Sequence, residues 1–175
     1  AAASDVYKRQ IAIGAPSEAG KGSVSIYTFA AMLNGGDAEF QGKATGSDYK
    51  GEDPGEFGHA VALGFGGVFV GSPGNSPTDG GGMVSAYALP SGGDPMDVPL
   101  WSVEHGGDAA ARFGSALAMF GDRLAIGVPG PYASGPDSEE RGRVEIYEYD
   151  ADEESFVLQT TIETDLPSPQ DRCGY

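Results

Sequence analysis

The sequence predicts an all-β fold made of short four-stranded antiparallel units, and three recurrences carry that reading. The first is "IAIGAP" (11–16), "VFVGSP" (68–73) and "LAIGVP" (124–129), whose prolines Pro16, Pro73 and Pro129 stand 57 and 56 residues apart. The second is a run after each of these that carries a tyrosine. These runs are "GSVSIYTF", "MVSAYAL" and "GRVEIYEY", with Tyr27, Tyr87 and Tyr147 spaced by 60 and 60. The third is a Phe-Gly that opens "FGHAVAL" at Phe57 and "FGSALAM" at Phe113, 56 residues apart. Fixed-period self-similarity is the signature of a repeat architecture. Four short antiparallel strands per period are what a β-propeller blade requires.

Each element has a physical reason. Run a follows the Phe-Gly: Gly58 and Gly114 permit close backbone approach, and the rings of Phe57 and Phe113 can fill the gap between twisted sheets. Run b ends in Gly-x-Pro (Gly14, Gly71 and Gly127 with their prolines), because proline has no N–H to give a ladder and so stops the strand. Run c carries the tyrosine. Run d opens on an aromatic residue: "FQGKAT" from Phe40, "WSVEHG" from Trp101 and "FVLQTTI" from Phe156. These runs have strand lengths, and none shows a helical period. The spacing from run a to run b is constant, 57 to 68 and 113 to 124, whereas proline to tyrosine takes 11, 14 and 18 residues. Variable loops on a constant scaffold are where binding specificity normally resides.

The 175 residues suit one ordinary domain, and 29 glycines with 12 prolines fit many turns between short strands. A formal charge of −16 disfavours nucleic acid and anionic membranes and favours cationic partners or divalent cations. One cysteine, Cys173, excludes an intrachain disulfide and a cysteine-rich zinc site. No apolar run approaches the length of a membrane span, so no membrane insertion is expected.

The combination of Phe-Gly, "GDRLAIGVP" and "GRVEIY" resembles the FG-GAP repeat of integrin alpha-subunit propellers and of many bacterial and protist surface proteins, over residues 11–175. The Kelch repeat competes through Gly-Gly, Tyr and Trp, but it would end run b on Gly-Gly, where this chain has "GSP" and "GVP". The resemblance implies blade parts at about 11–46, 57–104 and 113–163. A further blade would start at 171–175, where "DRCGY" puts Cys173 in the phenylalanine position. Integrin-type propellers have seven blades, so about three are expected here, with the remaining blades of the same propeller as partners. Residues 1–10 show no repeat character and are expected to be a leader foreign to the propeller, or disordered. The resemblance further implies a secreted or cell-surface location. The implied role is non-catalytic adhesion or protein interaction, with a protein or glycan ligand on the loop face.

Candidate chemistry is sparse. Many FG-GAP blades bind calcium in an Asp-x-Asp/Asn-x-Asp-Gly loop between runs a and b, since a hard cation needs several converging oxygens. Here that slot reads "LGFGGVF" and "MFGDRLA", with Asp122 as its only acid. No metal or other cofactor is therefore expected there, and Asp122 is read as part of a two-residue hairpin turn. Asp150, Asp152 and Glu154 mimic ligand spacing, but Ser155 stands where the sharp-turn glycine belongs. Asp48, Glu52, Asp53 and Glu56 are read as a solvated acidic loop. Neither His59 nor His105 lies in a catalytic motif, and "GGG" at 80–82 is followed by no Lys-Ser/Thr. The expected contact residues are in the b-to-c loops: Asp79, Tyr132, Asp137, Glu139 and Glu140. The rival readings are an enzyme-associated propeller (quinoprotein-like or carbohydrate-active) and a purely architectural one. An enzyme would need polar residues from run a around a central channel, yet run a offers "HAVAL" and "SALAM".

Overall fold

The computed structural model describes residues 2–5, 10–29, 37–46, 55–74, 81–90, 96, 98–104, 111–130, 142–163 and 173–174. These form three four-stranded sheets in which every hydrogen-bonded neighbour is antiparallel and consecutive in sequence. Sheet 1 contains β1 (Ala2–Asp5), β2 (Gln10–Ala15), β3 (Ser23–Phe29) and β4 (Ala38–Thr45). Sheet 2 contains β5 (Ala60–Gly64), β6 (Gly67–Ser72), β7 (Met83–Ala88) and β8 (Trp101–Glu104). Sheet 3 contains β9 (Leu117–Phe120), β10 (Arg123–Val128), β11 (Arg143–Asp150) and β12 (Ser155–Glu163).

The sequence repeat is also a register repeat. Tyr27 pairs with Ile11, Tyr87 with Val68 and Tyr147 with Leu124, so the tyrosine occupies one position in each sheet. A bulge falls immediately before the tyrosine in sheets 1 and 3, at Ile26/Tyr27 and Ile146/Tyr147. Ala2–Asp5 is a strand, paired from Ala2↔Ile13 to Asp5↔Gln10, and it completes sheet 1 in the place that run a takes elsewhere. Ladder hydrogen bonds come from the main chain, so an edge such as that of β2 can recruit a segment with no side-chain pattern.

The apolar interior consists of two layers between sheets. Between sheets 1 and 2 lie Ala12, Val24, Ile26, Phe57, Val61, Val68, Val70 and Tyr87. Between sheets 2 and 3 lie Ala62, Phe69, Val84, Phe113, Leu124, Ile126, Tyr147 and Phe156. Period-2 alternation sends Val68 and Val70 one way and Phe69 the other, so every residue of β6 is buried. Among the described residues the outer sheets are covered on one side, and Ile13, Phe40, Phe120 and Ile162 are exposed on the other. Both described a-to-b turns have two residues. Phe65 (φ 50) and Gly66 (φ 75) form a turn of type I′, whereas Gly121 (φ 63) before Asp122 gives type II′.

Candidate functional site

Two inter-sheet regions hold the residues to which the sequence draws attention. At the proline end of strand b the sheets meet backbone to backbone. Gly58 N–H donates to the Gly71 carbonyl in its own sheet (3.1 Å), and Gly114 N–H to that of Gly127 (3.0 Å). The same glycines turn their own carbonyl oxygens toward the preceding sheet. A Cβ on Gly14, Gly71 or Gly127 would lie closer than 3.0 Å to the oxygen of Gly58, Gly114 or Gly174 respectively. The glycine of Gly-x-Pro is therefore required by space. The glycine of Phe-Gly also needs its left-handed backbone, with φ +88 at Gly58 and +87 at Gly114. Phe57 and Phe113 are fully buried beside this seam, edge-on to Tyr87 and Tyr147 with centroids 6.0 and 6.4 Å apart. Pro73 and Pro129 are buried and Pro16 half-buried, and the glycines after the first two, Gly74 and Gly130, donate N–H to Gly55 and Ala111 (both 3.1 Å).

A second row of glycines completes the seam. Gly22, Gly82 and Gly142 face the carbonyls of Phe57, Phe113 and Cys173, again with no room for a Cβ, and Gly22 and Gly82 form parallel bridges to the two phenylalanines. These three residues were missed in the sequence reading although they open each run c at a spacing of 60. Cys173–Gly174 thus lies on sheet 3 as each Phe-Gly lies on the sheet before it. Across the seam, Arg112 Nη2 donates to Glu56 Oε2 (3.0 Å), which His59 Nδ1 approaches at 3.5 Å. Glu56 and Arg112 occupy the same repeat position, immediately before Phe-Gly, and both have positive φ. The backbone N–H of His59 and of Ser115 donates to the carbonyl of Glu56 and Arg112 in turn, which gives that position a turn-closing role.

At the opposite end, sheets 2 and 3 meet through rings. A cleft of about 200 Å³ is lined by Phe65, Phe69, Trp101, Tyr149, Phe156 and Glu154, among others. Phe65 lies 4.5 Å from Tyr149 and 5.5 Å from Phe156, and Phe156 lies 5.5 Å from Trp101 (centroid to centroid). The acidic turn beside it is locally satisfied: Asp150 Oδ1 accepts the N–H of Asp152 (2.8 Å) and of Glu153 (3.2 Å), the arrangement of an Asx turn. Deeper in the same interface, buried Glu145 accepts hydrogen bonds from Arg143 Nε (2.9 Å) and the Tyr147 hydroxyl (3.0 Å). Burial, and then the Glu145 charge, raise the Tyr147 hydroxyl well above the ordinary tyrosine range. Glu145 was also missed; its repeat equivalents, 60 and 120 residues earlier, are Ser85 and Ser25.

The expected contact residues Asp79, Tyr132, Asp137, Glu139 and Glu140 lie outside the described residues, as do Asp48, Glu52, Asp53 and His105. Among the described residues no group of three His, Cys, Asp or Glu side chains is placed to hold a metal ion. Among them, too, no helix is long and apolar enough to cross a membrane. In comparisons with known proteins, no family model and no curated protein matches the chain.

Proposed function

We propose that the three sheets are blades of an FG-GAP-type β-propeller, about three of a closed ring, and that the chain is a non-catalytic extracellular interaction module. The observation that supports this reading is the glycine seam, which recurs at Gly14–Gly58, Gly71–Gly114 and Gly127–Gly174. The seam fixes each sheet on the one before it while the proline-to-tyrosine connections at that end vary in length. A rigid array with variable loops presents a recognition face. The further blades of the propeller cover the outer faces of sheets 1 and 3, where Ile13, Phe120 and Ile162 are exposed. The ligand is a protein or glycan held by the b-to-c loops, with Asp79, Tyr132, Asp137, Glu139 and Glu140 as contacts. The reading needs no cofactor. Strands β5 and β9 bring mainly small and apolar residues, which disfavours a catalytic channel.

The test is a binding screen against arrays of extracellular-matrix proteins and glycans, using the chain and a triple loop variant, Asp137→Ala/Glu139→Ala/Glu140→Ala. The expected result is binding by the parent that falls at least about tenfold in the variant, with unchanged circular dichroism. Binding retained in full by the variant, or absent from both, contradicts the assignment.

A further inference from the structure

We propose that the aromatic cleft between sheets 2 and 3 binds an alkylated ammonium cation, with a quaternary trimethylammonium group as its best fit. The site is formed by the Phe65–Gly66 hairpin turn, the start of β8 and the turn before β12, at the end of the sheets away from the b-to-c loops, and so is independent of the proposed ligand face.

Three observations converge on a cation. The cleft, about 200 Å³, accommodates a trimethylammonium group and part of its tail, and four of its lining residues are Phe65, Trp101, Tyr149 and Phe156. Aromatic rings attract a desolvated cation through their quadrupole, and such cages are how proteins recognise quaternary ammonium groups. The charge at the mouth has the matching sign: Glu154 lines it, and Asp150, Asp152 and Glu153 share its turn. On sheet 3, Arg123 is already engaged with Glu148 (3.2 Å) and Arg143 with Glu145 (2.9 Å). A neutral sugar is a poorer match, because the lining side chains offer hydrogen-bonding groups only at Glu154, Ser155, the Trp101 indole N–H and the tyrosines Tyr87 and Tyr149, and sugar hydroxyls buried without partners are costly.

The third observation is strain. Phe65 has φ 50 at a turn position that favours Gly, Asn or Asp, and Glu154 has φ 49. A left-handed backbone is unfavourable at a bulky side chain. Here it puts the Phe65 ring 4.5 Å from Tyr149 and leaves it 48% exposed, so the strain is not offset by full burial. Strained residues of this kind cluster at ligand clamps.

Trp101 is the only tryptophan of the chain, so its emission reports directly on the cleft. Choline chloride is titrated against the chain at constant ionic strength, beside the uncharged carbon isostere of choline and glucose. The expected result is a saturable change in Trp101 emission with choline and binding of the isostere about tenfold weaker or less, the scale of a desolvated cation–π contribution. Glu154→Gln, at an exposed position, weakens choline several-fold without moving the melting temperature, and Phe65→Ala weakens it further. Equal binding of choline and its isostere, saturation by glucose instead, or no saturable response to choline overturns the proposal.

Discussion

Where Gly71 meets Gly114, contact between the sheets is backbone against backbone; where Phe65 meets Tyr149, it is ring against ring. The first contact recurs with the same partners at Gly14–Gly58 and Gly127–Gly174, each too close for a single added carbon. The second depends on side chains that do not recur: 60 residues before Tyr149 the chain has Leu89, and 56 before Gly121 it has Phe65. Contacts between main chains can repeat indefinitely because they need only glycine and geometry. They tolerate no substitution for the same reason. Ring contacts tolerate change, and that freedom lets one interface of a repetitive molecule acquire its own chemistry.

The largest effect is expected at the buried phenylalanine of the seam. Phe113 is fully buried against Tyr147, and truncation to alanine is expected to cost about 3–5 kcal/mol of unfolding free energy in urea. A middle case is Tyr147, which packs between Phe113 and Trp101 and donates to buried Glu145. Its proton is held more tightly in the folded chain than in the unfolded one. That contribution is complete below about pH 10, the unfolded tyrosine value, and is lost as pH rises through the higher native value. Stability above pH 10 should therefore fall more steeply in the parent than in Tyr147→Phe, as followed by urea titrations across that range. The smallest effect is expected at Phe120, 87% exposed on the open face of sheet 3, where alanine should change stability by about 0.5 kcal/mol or less.

The strand plan was legible in the sequence because its punctuation is chemical. Proline ends β2, β6 and β10, and the tyrosine marks one register position of β3, β7 and β11. The seam was half legible: Phe-Gly and Gly-x-Pro stood out, while Gly22, Gly82 and Gly142 recur as regularly but carry no side chain to mark them. Strand β1 left no trace, since "AASD" has no alternation and pairs through its main chain alone. The cleft was hidden for another reason. Phe65 is disfavoured at its turn position, and Trp101, Tyr149 and Phe156 converge only once sheet 2 stands against sheet 3. Glu145 sits in "RVEIYEY", where charged and apolar residues alternate, and it is buried because sheet 2 covers that face.

Backbone contact at glycines required for space fixes the sheets to one another, and two alanine substitutions on the same sheet test this most directly. Gly66 has positive φ and nothing within 4 Å of where a Cβ would stand, so Gly66→Ala should cost only the left-handed penalty, about 1–2 kcal/mol. Gly71 has an ordinary φ but no room beside the Gly114 carbonyl, so Gly71→Ala should cost about 3 kcal/mol or more, by forcing sheet 3 away. Urea unfolding of the two variants beside the parent gives both numbers. A loss at Gly71 well above that at Gly66 is the expected result; equal losses, or a larger one at Gly66, would contradict the account.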